Sequence, residues 1–347
     1  MITLTNNSID LINYCLGKAN IKKSNNSIKK IYNYFESKYS SNDVEYSIIE
    51  CNNYNDLNNS YISNEIKKSI HKLKNCHSIN SKINNNLVNI IIYHNEENIE
   101  KAIKIILKYI QFMYNLSNYD KNINIIYYLT ENEKKIKDKR NIILNPNNVN
   151  TGSSSIDNIQ IWRKEELLKT TIHELIHHMN LDYRNDTIDI INNYKNKYNI
   201  SSNTINSFES YVDFWAILIN IFLCSKILNN PYEFFIKIIY LEIYFITFQA
   251  QKVLYISRTN NKEIVDINKY TNILSYYIIK AELFQNINKT LSIMNYNIKI
   301  KNMKEYLEYL KSLKKINNNN NRFSHINKNS YIYKTMRMSI CSIDIFD

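Results

Sequence analysis

The sequence predicts an α+β protein: a small mixed sheet beside one helix with paired histidines, a mostly helical second half, and a helical N-terminal extension. Three stretches carry that expectation. Thr171-Ile172-His173-Glu174-Leu175-Ile176-His177-His178 sets two histidines four residues apart with a carboxylate between them, an HExxH pattern. Leu87 to Tyr93 is a β-branched run that ends in polar His94-Asn95-Glu96, which marks a strand. From about residue 206 the chain is apolar at helical spacing, with few breakers.

Taken in order, residues 1 to 80 read as short helices joined by Asn/Ser linkers, with Ile9, Leu11, Ile12 and then Ile28, Ile31, Tyr32, Phe35 at helical spacing. His71, Cys76 and His77 lie close together but lack the paired spacing of a zinc finger, so a surface helix is expected there. After the strand at 87–93, Glu97 to Leu116 carries Ile99, Ile103, Ile106, Ile110 and Met113 at spacings of four and three, an amphipathic helix able to cover a sheet. Asn122 to Leu129 reads as a second strand and Asn141 to Leu144 as a candidate third. Then come a small-residue segment, Asn150 to Ser155, and Ile159 to Trp162 with alternating sidedness.

The next helix is the one that carries chemistry. At about 3.6 residues per turn, His173 and His177 project from one face and can reach one tetrahedral metal ion. Glu174 points roughly 100° away, placed to touch a metal-bound water rather than to ligate. Leu168, Ile172, Leu175, Ile176 and Met179 form the buried stripe of that helix, and no Gly or Pro interrupts Arg163 to Leu181. His178 faces away from the pair and is not expected to ligate.

Two histidines hold zinc poorly, so a third ligand must come from further along. Glu209 is the first candidate: it opens a strongly apolar helix running to about Leu228, where a carboxylate among Phe208, Val212 and Trp215 needs a cationic partner. Asp213, four residues on, shares its face and can accept a hydrogen bond from an imidazole, with His173 the expected partner. The rival ligand is Asp182, closer in sequence but also a simple helix-ending residue. Helices are expected at about 232–257, 265–287 and 302–314. Lys315 to Asn329 reads as an Asn-rich linker, and Ser330 to Asp347 as a strand returning to the body. Tyr183 and Tyr211 are the candidate oxyanion donors.

Composition sets limits on the alternatives. The 347 residues include only two glycines and two prolines, which excludes Gly-rich phosphate loops. Abundant Asn, Lys, Ile and Tyr, all with A/T-rich codons, mark an A/T-rich genome and make Asn runs weak functional signals. The net charge of +12 comes from scattered lysines rather than a basic stripe, so nucleic acid is not the expected partner. Five widely spaced cysteines without a CxxC suit a reducing compartment. With no basic-then-apolar N-terminus and no apolar run longer than Phe214 to Cys224, an intracellular, non-secreted protein without a membrane span is expected.

The order strand, helix, strand and HExxH helix resembles the upper lobe of the zincin metalloproteases, and the later Glu-x-x-x-Asp of Glu209 and Asp213 resembles their gluzincin branch. The likeness covers residues 87 to 228. It departs from thermolysin-like enzymes in placing Phe208, not Asn, before the glutamate, and Asn180 and Tyr183 stand where a metzincin needs Gly and a ligand. The resemblance implies a two-lobed zinc metallopeptidase: a helical region at 1–80, an upper lobe at 81–182, a helical lower lobe at 183–315 carrying the third ligand, and a linker and tail at 316–347. It implies that Zn2+ is held by His173, His177 and Glu209, that Glu174 is the general base, and that Asp213 orients His173. A protein or peptide substrate would lie extended along a sheet edge formed by Asn150, Gly152 and Ser153. The lead-in Ile161-Trp162-Arg163-Lys164-Glu165-Glu166 resembles that of HExxH proteins from large DNA viruses, which implies a host cell or virion as the setting. The alternative from another class is a non-catalytic protein, zincin-like or a basic structural or nucleic-acid-binding component, whose metal only braces helices.

Overall fold

The computed structural model describes residues 2–22, 25–51, 59–136, 143–184, 186–202, 205–257, 267–317, 323 and 325–346. It is a mixed α+β fold. The helices run α1 (Asn6–Leu16), α2 (Asn26–Glu36), α3 (Asn64–Ile70), α4 (Glu100–Ser117), α5 (Pro146–Val149), α6 (Leu167–His178), α7 (Ile188–Tyr198), α8 (Phe208–Ile227), α9 (Pro231–Ile256), α10 (Lys280–Gln285), α11 (Ile287–Ile293) and α12 (Met303–Ser312). The strands are β1 (Tyr46–Glu50), β2 (Asn75–Ile83), β3 (Asn86–His94), β4 (Ile123–Tyr128), β5 (Gly152–Ser154) and β6 (Ile159–Ile161). They form one six-stranded sheet in the order β1-β2-β3-β4-β6-β5.

The sheet is parallel where helices connect its strands, at β3/β4 and β4/β6, and antiparallel at β1/β2, β2/β3 and the last pair, β6/β5. Alternation along β3 and β4 decides its two faces. Val88, Ile90, Ile92, Ile123, Ile125 and Tyr127 join the main core with α4 and α6, while Tyr93, Ile126 and Tyr128 join Trp162 and α3 in a smaller cluster on the other side. Both faces are therefore covered at the central strands, while the edge strand β1 is exposed along most of its length.

Two expectations for the first 80 residues need correction. β1 and β2 lie in what reads as a helix-and-linker region, because β2 (Asn-Cys-His-Ser-Ile-Asn-Ser-Lys-Ile) hides alternate buried positions Ile79, Ser81 and Ile83, and Cys76 on the other face, among polar residues. The β2–β3 turn is Asn84-Asn85, both at positive φ (48° and 68°), which asparagine tolerates better than most residues. His77 therefore sits on a strand, and its ring stacks on that of buried His94. Because Glu50 pairs with His77, the next residue out faces Cys76, and Cys51 and Cys76 form a disulfide. Cysteine usage thus gives no support to a reducing compartment. Cys15, Cys224 and Cys341 are buried and stand outside this disulfide.

The candidate strand at 141–144 is not one at Ile143 and Leu144, and residues 141 and 142 lie outside the described residues. So do residues 318–322 and 324 of the expected linker. The tail does return to the body, but as an irregular buried segment after a single helical turn, Tyr331–Lys334. Among the described residues its strand-like pairing is confined to the isolated bridges Lys135–Thr335 and Leu4–Ile343. The apolar run at 214–224 sits inside the longer α8, which by length and hydropathy could cross a membrane, yet 89% of that window is buried as a core helix.

Buried charges hold the tail. Glu242 on α9 is fully buried and accepts from Ser339 Oγ (2.9 Å) and Ile340 N (3.0 Å). Lys280 donates to the Met338 carbonyl (3.1 Å), and Glu166 accepts from Met338 N (2.9 Å), Ser339 N (2.7 Å) and Lys134 Nζ (2.8 Å). Stripping a buried polar group of its partner costs about 1–3 kcal/mol, more if charged. Deleting residues from Met336 onward is therefore expected to abolish the cooperative thermal transition; a midpoint within a few degrees of the full chain would contradict this role.

Candidate metal centre

α6 and α8 pack face to face, and their spacing does the assembling. One helical turn separates His173 from His177 on α6 and Glu209 from Asp213 on α8, so the two pairs meet along one seam. His173 Nε2 and His177 Nε2 lie 3.3 Å apart, and Glu209 Oε2 lies 3.2 Å from the first and 3.4 Å from the second. The two histidines are buried and Glu209 is half-buried, and Glu209 Oε2 has no aligned hydrogen bond.

The outer nitrogens explain the inner ones. His177 Nδ1 meets Asp182 Oδ2 at 2.7 Å and His173 Nδ1 meets Asp213 Oδ1 at 3.3 Å. A carboxylate on each Nδ1 draws the proton there and leaves Nε2 as a lone pair. Two nitrogen lone pairs and a carboxylate oxygen then face one another, an arrangement that calls for a cation. A tetrahedral ion bonded at about 2.0–2.1 Å needs ligand atoms about 3.3 Å apart, which is the spacing found. His173, His177 and Glu209 can hold a metal ion.

Asp182 is thus brought to the site, but on the far nitrogen of His177 rather than as a ligand. The turn that does this is at Asn180, whose positive φ (51°) ends α6 and folds the chain back, with Leu181 N bonded to the Ile176 carbonyl. Asp213 reaches His173 as expected, and it also binds two buried ammonium groups, Lys169 and Lys280, each at 2.5 Å. Burial works against its charge, but the two lysines and then His173 hold the carboxyl well below its ordinary range. Neither lysine stands out in the sequence; Lys169, one turn before His173, could have been found from its place on the ligand face. Asn272 Nδ2 supports the other oxygen of Glu209 at 3.3 Å.

β5 is the last strand of the sheet and lies along α6. Thr151 O and Ser155 N bond inward to Trp162 and Asn158, so alternation turns the backbone groups of Gly152 and Ser154 to the open edge. Asn150, Gly152 and Ser153 all line the cleft in front of the ligands. Gly152 is needed for close approach, since a Cβ there would lie 2.8 Å from Glu174 Oε1 and 2.9 Å from Thr170 Cγ2. The lead-in to α6 locks this strand: Arg163 donates from Nε to the Asn150 carbonyl (2.9 Å), from Nη1 to Asn132 O (3.1 Å) and from Nη2 to Asn147 O (2.6 Å), and Trp162 Nε1 also reaches Asn150 O. At the start of α6, buried Glu166 takes a positive φ of 58°, a strain of about 1–2 kcal/mol offset by the bonds to its carboxylate.

Glu174 sits between α6 and β5 and lines the cleft, with no hydrogen-bond partner among the described residues. Burial raises its carboxyl above the ordinary range, against the pull of His173 and His177. Tyr183 and Tyr211 are not beside it: the first bonds Ser207 Oγ, the second the Ile298 carbonyl, both within the core. Three tyrosines do line the cleft, Tyr61, Tyr270 and Tyr276, and the last packs on a ligand, its ring 6.2 Å from that of His173. Burial, with Glu209 and Glu174 next, raises its hydroxyl well above the ordinary value, so it stays a protonated donor. It lies in a π-helical stretch, Leu274–Ile279, whose register no periodicity reading would have placed. His178 bonds the Ser155 carbonyl and stays out of the ligand group, as expected.

The chain is similar to an uncharacterised protein of Acanthamoeba polyphaga mimivirus, a large DNA virus, with 25% identity over 159 residues. The match spans 42% of this chain and 40% of the viral protein, so the relative is covered over less than half its length. No family model matches the sequence, and no solved structure matches it.

With no cation present, burial opposes a charged His177, but the carboxylates of Glu209 and Asp182 outweigh it and push the imidazole up to about 10. A metal must displace that proton at neutral pH. Calorimetry in buffers of different ionisation enthalpy is expected to show net proton release on metal binding at pH 7, with affinity falling as pH drops. Proton-neutral binding, or unchanged affinity in Glu209→Ala, would contradict the site as drawn.

Proposed function

We propose that this protein is a zinc-dependent peptidase of the zincin type, closest in plan to the gluzincin branch. The observation that carries the reading is the convergence of His173, His177 and Glu209 beside a buried, unbonded Glu174 and an open strand edge. A donor set of two imidazoles and one carboxylate suits zinc, which when bound supplies the Lewis acidity to acidify a water and polarise a carbonyl.

The chain's own residues account for the rest. A peptide adds to β5 as one more strand, using the outward backbone groups of Gly152 and Ser154, and this lays its carbonyl across the floor of the cleft. Glu174, made more basic by burial, takes the proton of the attacking water and returns it to the leaving amine. The Tyr276 hydroxyl is the donor to the oxyanion that forms at the attacked carbonyl. Asp182 and Asp213 keep the two imidazoles in the ligating tautomer. The similarity to a large-DNA-virus protein supports an infected host cell or virus particle as the setting. A non-catalytic role remains the competing reading. It would be favoured by a zinc-loaded chain that cuts no peptide and binds DNA or RNA with strong salt dependence.

Glu174→Gln is expected to keep zinc and lose about 10²–10⁴-fold in peptide turnover. Gly152→Ala, which pushes on the same carboxylate, is expected to fall in the same direction with zinc retained. Full turnover in Glu174→Gln defeats the general-base assignment. For Tyr276→Phe the loss should be about 10²–10³-fold, mainly in kcat, whereas Tyr183→Phe should leave kcat close to wild type. The reverse ranking would return the oxyanion role to Tyr183.

A further inference from the structure

The cleft in front of the ligands has a volume of about 580 Å³. Tyrosines apart, its ionisable lining side chains among the described residues are the three ligands, Glu174, Arg184 and Lys269. A dication against the two carboxylates, Glu209 and Glu174, leaves no net charge. Arg184 and Lys269 then leave the lining of the loaded cleft positive, offset only from behind by Asp182, which pairs with Arg184.

Arg184 is held in place. It donates to the carbonyl of His177, itself a ligand, and its Nε lies 3.6 Å from Asp182 Oδ1, while its side chain stays 54% exposed. A guanidinium carries five N–H donors in a rigid fork, so most of them are left for something in the cleft. Anchorage to a ligand residue also fixes this cation close to the reacting centre. Apolar recognition, by contrast, is poorly provided for. The Phe208 ring is used against His177 and Tyr183, at 6.1 and 6.4 Å between centroids, and most of the remaining lining is Asn, Ser and Thr.

We infer that the substrate presents a carboxylate beside the bond to be cut and that Arg184 receives it, with Lys269 adding attraction from the cleft mouth. This rests on the peptidase reading above. The carboxylate can come from an Asp or Glu side chain within the chain or from a free C-terminus. The shared chemistry is the same fork of N–H donors on a planar anion.

The test uses the full chain reconstituted with zinc and a peptide mixture in which the residues around each bond are varied, each peptide made with a free and an amidated C-terminus. Products are read by mass spectrometry. Cuts next to Asp or Glu in both forms, favoured at least about ten-fold over Lys or Leu, point to a side-chain carboxylate; cuts near the end of the free form alone point to the terminus. Either result supports the inference. Arg184→Glu is then expected to lower kcat/KM for the acidic substrate at least about ten-fold and to raise the relative rate on its Lys counterpart. Lys269→Glu, exposed and away from the ligands, should move preference the same way by less, and serves if Arg184→Glu does not fold. Cleavage without acidic preference, unchanged in both variants, overturns this inference and leaves the peptidase reading standing. No cleavage by the zinc-loaded wild type takes both down.

Discussion

Three electron-pair donors pressed together away from water are the constraint on which the rest of this structure depends. Two imidazole nitrogens and a carboxylate oxygen within 3.2–3.4 Å of one another are tolerable with a cation, or a proton standing in for one, and costly without. The helix pair α6/α8 supplies the donors by turn-spaced residues. Asp182 and Asp213 then set which nitrogen of each ring is free to bind. Seen this way, the apolar character of α8 is what makes Glu209 informative: a carboxylate at the end of such a helix has to be matched by something positive.

Behind the ligands lies a second, denser layer of charge. Asp213 is gripped by Lys169 and Lys280, and Glu166 by Lys134, while the tail from Thr335 to Ile345 threads between them and supplies backbone groups to Glu166, Glu242 and Lys280. Breaking one member out of a buried pair costs about 3–5 kcal/mol, so this layer is rigid once formed. The front of the site is its opposite: an open strand edge, a polar cleft and two accessible cations. A stiff back and an open front suit a centre that must hold a metal still while long substrates come and go.

Much of this was legible in the sequence, for reasons that differ by element. β3, α4 and β4 announce themselves because their buried positions carry Val, Ile and Leu at periods of two and 3.6. His173, His177, Glu209 and Asp213 are found by the same arithmetic, since four-residue spacing on two helices leaves little freedom for where they meet. β1 and β2 were hidden by polar alternation and by an Asn-Asn turn in a chain where asparagine is common, and the Cys51–Cys76 pair was hidden with them. Tyr276 could not be read because a π-helical stretch shifts its register. Asp182 changed role because Asn180 bends the chain back toward His177, a local backbone event that spacing along a helix does not report.

Anomalous diffraction from crystals grown with zinc tests directly whether the three ligands share one ion. A single peak at the zinc edge is expected, bonded at once to His173 Nε2, His177 Nε2 and a Glu209 carboxylate oxygen. A peak held by other residues, or the two histidines bound with Glu209 turned away, would contradict it.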